Sequence, residues 1–382
     1  MARNLRYGIT AVVTAGVLAA AAVSATSLAG GHPARAGAGS AHLAASTCSG
    51  PAGAAYVADA GWDGFSAINT ANCAIIQTYN VGDTAVPNDP GDYNYSSTDE
   101  AVALHGSTLY FANAGNSTVA VIDTATLDPS NYNPDEKLIN VGLFPEDLAV
   151  SPDGSQVWVA ETGPQTSASA PSGVSVISTA TDAVTDRLPL SGAPSQITFA
   201  PSGQRAYVAT SEGVWIFDTG TARPVGEIRG LGDPRGIAVS PDGRTVYVTG
   251  TESDLVYVIS AATDRVTGTI KVGDMPWQDA VSPDGKTVYV ANPDSDTVSV
   301  IDAASDAVTS TITVPGDPET LGFTPDGSQL WVGQGAAAKV TVLDAATGTT
   351  ASAINLGGDV AQSADGYEPT GIALTATSTP GS

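Results

Sequence analysis

A short turn motif recurs along the chain at nearly constant spacing. Ser-Pro-Asp-Gly occupies residues 151–154, 240–243 and 282–285, and variants of it occupy residues 200–203 and 324–327. The prolines of successive turns are 49, 40, 42 and 42 residues apart. A repeat of this length indicates a fold built from similar units that stack on one another, because one such unit cannot bury its own apolar surface.

Four strand-like runs fill each repeat. In the unit that starts at residue 282, the runs after the turn are residues 288–290, 298–302 and 308–314. A run equivalent to residues 234–239 precedes each turn. Apolar and polar residues alternate in these runs, which is typical of half-buried strands. Four short strands in roughly 42 residues are the signature of one β-propeller blade.

Seven such units can be counted, although six or eight blades stay open. They begin near Tyr56, Tyr110, Trp158, Tyr207, Tyr247, Tyr289 and Trp331. The first unit lacks its innermost strand, and residues 369–374 supply one that no unit follows. We therefore predict an all-β fold, a seven-bladed β-propeller of four-stranded antiparallel blades over residues 54–376. A composite blade closes the ring, with its inner strand from the C-terminus and three strands from the N-terminus, so that no sheet edge stays open. Residues 377–382 form a tail.

Residues 240–259 and 282–302 resemble YVTN-type β-propeller repeats, as found in YncE-like and surface-layer-associated proteins. The resemblance extends over residues 54–376 and is strongest over residues 145–356. It implies the same fold, but it does not specify a function, because the matching residues belong to turns and to the core. Related seven-bladed families include lactone hydrolases and streptogramin lyases, and the lyases rely on histidines.

The charge of the chain bears on its partners. It has 14 Lys and Arg against 39 Asp and Glu, a formal net charge of −25. Binding to a phosphate backbone depends on clustered Lys and Arg. We therefore expect no nucleic-acid partner, although some YncE-like proteins resemble nucleic-acid binders.

The N-terminus has the features of a secretory signal. Arg3 and Arg6 precede an apolar stretch over residues 9–28, and a small-residue cleavage site follows at residues 34–36. This pattern predicts a signal peptide over residues 1–36, a flexible segment over residues 37–53 and a secreted protein with no membrane span after processing. An uncleaved membrane anchor is the alternative.

Cys48 and Cys73 are the only cysteines. In an oxidising compartment one intrachain disulfide between them is expected. In the chain-entropy model a loop of this size stabilises the fold by roughly 3 kcal/mol. Redox or metal use of the pair is the alternative, without a C-x-x-C spacing to favour it.

The residues that open the inner strands are expected to surround the mouth of the central channel. They are Glu100, Glu146 with Asp147, Ser195 with Gln196, Arg235, Trp277 with Gln278, Glu319 with Thr320, and Thr370 preceded by Glu368. Such a polar mouth is suited to a cation, a basic peptide or a sugar that stacks on Trp277. The alternative is a solvated rim that only keeps the protein soluble.

Longer connections fall mostly on the same face as this mouth. They are residues 83–99, 161–173 and 357–368, whereas the excess residues 127–137 belong to the opposite face. Trp62, in the loop of residues 61–64, is a further candidate contact on the mouth face. Because rigid scaffolds commonly carry function in loops, we expect ligand binding on this face.

Asp279 interrupts an apolar column. The equivalent residues of the other inner strands are Val102, Leu148, Ile197, Ile237, Leu321 and Ile372. A carboxyl group in such a place must be paired, hydrated or shifted in pKa. It either belongs to a structural hydrogen-bond network or contacts a ligand or metal, and Glu146 and Asp147 are the other metal candidates. Ca²⁺ is the only cofactor that the oxygen-rich sequence suggests.

The three histidines bear on catalysis. His32 lies in the leader, His42 in the segment after it and His105 at a turn on the face opposite the mouth. With no histidine base at the mouth, we expect a secreted, monomeric, non-catalytic propeller that binds a peptide, a glycan or a cell-envelope component. The alternative is a cation-assisted lactone or ester hydrolase that uses the acids Glu100, Glu146, Asp147, Asp279 and Glu319. A structural repeat module of the cell surface is a third interpretation.

Overall fold

The computed structural model describes residues 53–59, 64–81, 101–131, 133–163, 172–356 and 369–375. In this part of the chain, 28 strands form seven four-stranded antiparallel sheets, which we call blades I to VII. Three single-turn 3₁₀ helices, Thr124–Thr126, Pro293–Ser295 and Gly335–Ala337, are the helical elements of these residues. None of the described helices has the length or the apolar character needed to cross a lipid bilayer.

Each blade contains four strands that neighbour one another in the order of the chain, except in blade I. Blade I consists of β1 (Ala54–Asp59), β2 (Gly64–Asn69), β3 (Ala74–Asn80) and, beside β1, the C-terminal β28 (Pro369–Leu374). Blade II consists of β4 (Val102–His105), β5 (Thr108–Asn113), β6 (Thr118–Asp123) and β7 (Glu136–Asn140). Blade III consists of β8 (Pro145–Val150), β9 (Gln156–Glu161), β10 (Gly173–Ser178) and β11 (Ala183–Pro189).

The remaining four blades follow the same plan. Blade IV consists of β12 (Pro194–Phe199), β13 (Arg205–Thr210), β14 (Gly213–Asp218) and β15 (Arg223–Arg229). Blade V consists of β16 (Pro234–Val239), β17 (Thr245–Gly250), β18 (Leu255–Ser260) and β19 (Arg265–Lys271). Blade VI consists of β20 (Asp279–Val281), β21 (Thr287–Asn292), β22 (Thr297–Asp302) and β23 (Ala307–Thr313). Blade VII consists of β24 (Pro318–Phe323), β25 (Gln329–Gln334), β26 (Lys339–Asp344) and β27 (Thr350–Asn355).

Ring closure follows the prediction. Strand β28 pairs antiparallel with β1, with Ile372 opposite Val57 and Ala373 opposite Tyr56. Blade I is therefore a composite of the C-terminal strand and three N-terminal strands, as the unpaired repeat at the end of the sequence predicted.

The core lies in the seams between blades. The described residues form seven buried apolar clusters, and each cluster joins side chains of two neighbouring blades. One of them joins Val57 and Ile68 of blade I to Trp331 and Val342 of blade VII, which confirms that the ring is closed. Trp158 and Trp331 are fully buried, as their place in the repeat predicted. No blade has a core of its own, so each depends on both neighbours.

The repeated turn joins the inner strand of a blade to its second strand by a fixed set of hydrogen bonds. In blade VI the Ser282 hydroxyl donates to Asp284 Oδ1 at 2.7 Å and accepts from the Thr287 backbone N–H at 3.0 Å. Blades III, V and VII repeat both bonds at the same distances. Gly285 ends the turn at φ +72°, a conformation that glycine adopts without steric cost.

We expect Ser282→Ala to destabilise the protein by about 1 kcal/mol at neutral pH, because the Thr287 N–H loses its partner. The hydrogen bond from Ser282 is the main cause that lowers the pKa of Asp284 to about 2. The substitution should therefore raise that pKa towards its usual value, which an NMR titration of the carboxyl group would measure.

The sign of the pH dependence provides a second check. A carboxyl group whose pKa is lowered by folding stabilises the protein at pH values above the pKa of the unfolded chain. This stabilisation is lost as the pH falls through the folded-state pKa. The difference between native protein and Ser282→Ala should therefore shrink towards pH 2. Ser310→Ala on strand β23, at an exposed position, is the matched control, and an equal effect of both substitutions would contradict the role of the turn.

Candidate functional site

The inner strands begin around one cavity, on the face opposite the repeated turns. The cavity contains about 460 Å³ of atom-free space, part of it open to solvent. It is lined by Glu146, Asp147, Ser195, Gln196, Arg235, Gly236, Trp277, Gln278, Glu319, Thr320 and Thr370. We call these residues the mouth. The structure thus brings together the residues that open the inner strands, although they are up to 224 positions apart in the sequence.

Several sequence predictions concern other residues. Glu100, Glu368, Trp62 and Cys48 lie outside the described residues, as do residues 83–99, 164–171 and 357–368 of the longer connections. Their contribution to the mouth stays a prediction.

Three polar mouth residues link one blade to the next. Asp147 Oδ2 accepts from the Ile197 backbone N–H at 2.7 Å, and Gln196 Oε1 accepts from the Ile237 N–H at 2.7 Å. Gln278 Oε1 accepts from the Leu321 N–H at 2.5 Å. Because these oxygens satisfy buried backbone groups of the next inner strand, Asp147 and Gln278 have a structural role besides any contact with a ligand.

Arg235 and Trp277 form a stacked pair at the mouth. The guanidinium carbon lies 3.9 Å from the centre of the indole ring, within the range of a cation–π interaction. The backbone of Trp277 is fixed by its N–H, which donates to the Ala291 carbonyl at 2.8 Å, and by its carbonyl, which accepts from the Thr249 hydroxyl at 2.6 Å. One face of the indole is therefore covered by Arg235 and is not open to a stacked sugar.

The seam between blades V and VI lacks the side-chain link that Asp147, Gln196 and Gln278 supply in their seams. Gly236 occupies the position of Asp147 and Gln196 but has no side chain, and its N–H donates to the Thr249 hydroxyl at 2.7 Å. A Cβ atom at Gly236 would lie 2.4 Å from the Trp277 carbonyl oxygen and 2.9 Å from Asp279 Oδ1. The two inner strands therefore approach too closely here for any residue except glycine.

Asp279 lies in this seam and is 4% exposed. Both of its carboxyl oxygens are buried and have no hydrogen-bond partner. Burial raises the pKa of this carboxyl group well above its usual value. The structure therefore shows a buried carboxyl group without a hydrogen-bond partner, not the structural hydrogen-bond network that the sequence allowed.

The arrangement of the acidic side chains bears on a possible metal site. No group of three or more His, Cys, Asp or Glu side chains among the described residues is arranged to hold a metal ion. Asp147 Oδ2 binds a backbone N–H, and Asp279 is buried behind Gly236 and does not line the cavity. The described geometry gives no support to the cation-assisted hydrolase alternative.

Two strained residues of the mouth face, Phe144 and Met275, were not identified from the sequence. The residue before the first proline of an inner strand has a positive φ in four blades, namely Phe144, Asp233, Met275 and Asp317 at 54° to 57°. Aspartate tolerates this conformation, but it is strained for bulky side chains such as Phe144 and Met275. The signal was present in the sequence, where Phe-Pro and Met-Pro replace the Asp-Pro of other repeats. Such strain is often found at binding sites.

Known protein families match the chain in two regions. The model of the choice-of-anchor I domain matches residues 52–288. The model of the YNCE-like beta-propeller matches residues 243–337 and confirms the resemblance seen in the repeats. No curated protein matches the sequence.

Solved structures share the fold. Hydrazine synthase of Kuenenia stuttgartiensis is 25% identical, with a TM-score of 0.56 over 69% of this chain and 80% of that chain. A functionally unknown protein from Desulfotomaculum acetoxidans DSM 771 is 15% identical, with a TM-score of 0.65 over 86% of this chain and 99% of that chain. At this identity the second likeness shows the fold alone.

Proposed function

The chain belongs to the choice-of-anchor I domain family, and from this premise we propose that it is a non-catalytic binding propeller of the cell surface or the extracellular space. Its ligand is a peptide, a glycan or another cell-envelope component. The ligand binds at the mouth, where the inner strands of the ring begin.

The observation that carries this proposal is the composition of the mouth cavity. Glu146 and Glu319 supply carboxylates, Arg235 lies on Trp277, and Ser195 and Thr320 add hydroxyl groups. Concave sites with a few convergent polar groups and an aromatic ring often bind ligands. Since Arg235 already covers one indole face, charge and hydrogen bonds contribute more to recognition than stacking does.

An extracellular location is supported by two features besides the family. Residues 1–36 have the pattern of a secretory signal. Cys73 is 8% exposed, and we propose that it pairs with Cys48, which suits an oxidising compartment. The anchor in the name of the family is consistent with a place at the cell surface.

Binding of the purified protein to arrays of peptides and glycans tests this function. We expect a ligand whose affinity falls by about tenfold or more in Trp277→Ala and in Glu319→Gln. Glu252→Gln, at an exposed position outside the mouth, is the matched control and should bind like the native protein. Absence of any ligand, equal binding by all variants, or hydrolysis of lactones or esters that Glu319→Gln abolishes would overturn the proposal.

A further inference from the structure

Immediately behind the mouth lies a carboxyl group for which the fold itself has no use. Asp279 stands where the other six inner strands carry Val, Leu or Ile. Those aliphatic residues pack into the seam with the preceding blade, whereas the apolar cluster of the seam between blades V and VI contains no equivalent residue. A buried carboxyl group without a partner opposes folding, so its presence calls for a function.

Only a glycine separates this carboxyl group from the cavity. Gly236 lines the mouth, and Asp279 Oδ1 lies 2.9 Å from the point where a Cβ of Gly236 would be. At the equivalent place in other seams, the side chains of Asp147, Gln196 and Gln278 fill this space. The missing side chain therefore leaves the carboxyl group directly behind the backbone of Gly236, next to the mouth but not lining it.

Strand β20 is the shortest inner strand of the ring. Strand β20 begins only at Asp279 and has three residues, whereas β8, β12, β16, β24 and β28 have six. Trp277 and Gln278 thus lie outside the strand. Trp277 exchanges hydrogen bonds with Ala291 and Thr249, and the Gln278 carbonyl accepts from the Ala291 N–H at 2.9 Å. Access to the carboxyl oxygens from the mouth requires a displacement of this segment.

The charges around Asp279 leave it without a cation. Neither oxygen has a hydrogen-bond partner, and no Lys, Arg or His of the described residues forms an ion pair with it. The titratable group that faces it from blade V is Tyr247, whose pKa is raised to about 12, mainly by burial and also by nearby carboxylates that include Asp279. Tyr247 is therefore neutral and supplies no positive charge.

We propose that Asp279 is the counter-ion of an ammonium subsite, in which the primary ammonium of a peptide lysine enters the mouth and pairs with the Asp279 carboxylate beside Gly236. The inference rests on the proposed function, since the mouth must be the ligand site. Glu146 and Glu319 attract the cation to the cavity, and the flexible four-carbon stem of lysine passes Trp277. The lysine ammonium is a compact point charge that one carboxylate oxygen can pair with, whereas the planar fork of arginine needs room for two parallel hydrogen bonds.

Binding changes the protonation of the site in a balanced way. In the free protein, burial raises the pKa of Asp279, so its carboxyl group stays protonated at pH values above the usual pKa of an aspartate. When the ammonium arrives, the carboxyl O–H bond breaks, the electron pair stays on the carboxylate, and the proton leaves to the solvent. One proton is therefore released for each lysine bound, as long as free Asp279 is protonated at the pH of the experiment.

Calorimetric titration with the tripeptide Gly-Lys-Gly, in buffers of different ionisation enthalpy, tests the subsite. We expect binding with release of about one proton at mildly acidic pH. Asp279→Asn should lower the affinity by about tenfold or more and abolish the release. Trp277→Ala should weaken binding but keep the release. Gly-norleucine-Gly keeps the N-terminal ammonium but lacks the side-chain ammonium of lysine, and it should not bind measurably.

The outcomes separate this inference from the proposed function. If Asp279→Asn binds Gly-Lys-Gly like the native protein, or if KCl competes as well as the peptide does, the subsite is wrong. If Gly-Lys-Gly does not bind while another array ligand binds in a Trp277-dependent way, the subsite is wrong and the mouth is still the binding site. If no ligand depends on Trp277, both fail. Asp279→Asn is isosteric and removes the titrating carboxyl group, so it should fold at least as stably as the native protein. If its thermal transition is not lowered, loss of binding cannot be assigned to unfolding.

Discussion

Deletion of residues 369–382 is expected to leave a chain that does not fold cooperatively as a monomer. Strand β28 supplies the inner strand of blade I, and without it the backbone groups of β1 that pair with it lose their partners. The seam between blades VII and I also loses Ile372 and Leu374, which pack against its buried cluster. An open ring exposes one blade edge and two apolar blade faces, and such edges promote aggregation.

The stability lost by this deletion should approach the whole free energy of unfolding, which is about 5–15 kcal/mol for ordinary domains. Thermal unfolding followed by circular dichroism should show no cooperative transition, and size-exclusion chromatography should show aggregates. The matched control is a chain without residues 376–382, which keeps β28. It should unfold like the full chain. A truncated chain without residues 369–382 that melts within a few degrees of the native protein would refute composite closure.

Substitution of Asp279 by valine should stabilise the protein. The substitution removes a buried, unpartnered carboxyl group and restores the aliphatic residue that Val102 represents in blade II. At about pH 4 the gain should be about 1–3 kcal/mol, the usual cost of an unsatisfied buried polar group.

The gain should increase with pH. An unfolded aspartate titrates near pH 3.9, whereas burial raises the pKa of Asp279 in the folded protein. Between these two values the folded state holds a proton that the unfolded state has released, so the native protein loses stability as the pH rises. The advantage of Asp279→Val should grow by up to about 1.4 kcal/mol per pH unit in this range and become constant above the folded-state pKa.

Urea unfolding at several pH values measures this dependence. Asp279→Asn is the matched control, because it removes the charge but keeps a polar group in the seam. It should show the part of the stability gain that grows with pH, but not the part that is already present at about pH 4. A gain that does not change with pH, or a loss of stability at pH 8, would show that Asp279 has a partner in solution. If the ammonium subsite is right, Asp279→Val combines higher stability with lost binding, a common relation at functional sites.

The repeats made the fold predictable from the sequence. Turn spacing and strand alternation are local properties that recur in every blade, so the weak first unit near Tyr56 could be recognised from the strong unit near Tyr289. The composite blade followed from counting, because residues 369–374 had no unit to follow them. The mouth residues followed from the same alignment, since equivalent positions of a ring must converge.

What the sequence could not show depends on distances between blades. Asp147 and Gln278 look like free polar rim residues in an alignment of repeats, but both accept a backbone N–H of the next blade. The close approach at Gly236 also results from how two inner strands meet. Asp279, by contrast, was visible as the one acid in an apolar column, although nothing in the sequence indicated that the residue in front of it would leave it next to the mouth.

The repeated turns have a consequence for how the molecules behave in acid. Their aspartates lie together on the face opposite the mouth, where the pKa of Asp153 and that of Asp284 are about 2 and those of Asp242 and Asp326 are also lowered. This face therefore keeps its negative charge in solutions acidic enough to neutralise ordinary carboxylates. Arg244 and Lys286 offset part of this charge, and we expect the remaining carboxylates to weaken contacts between two copies that meet by these faces in acid.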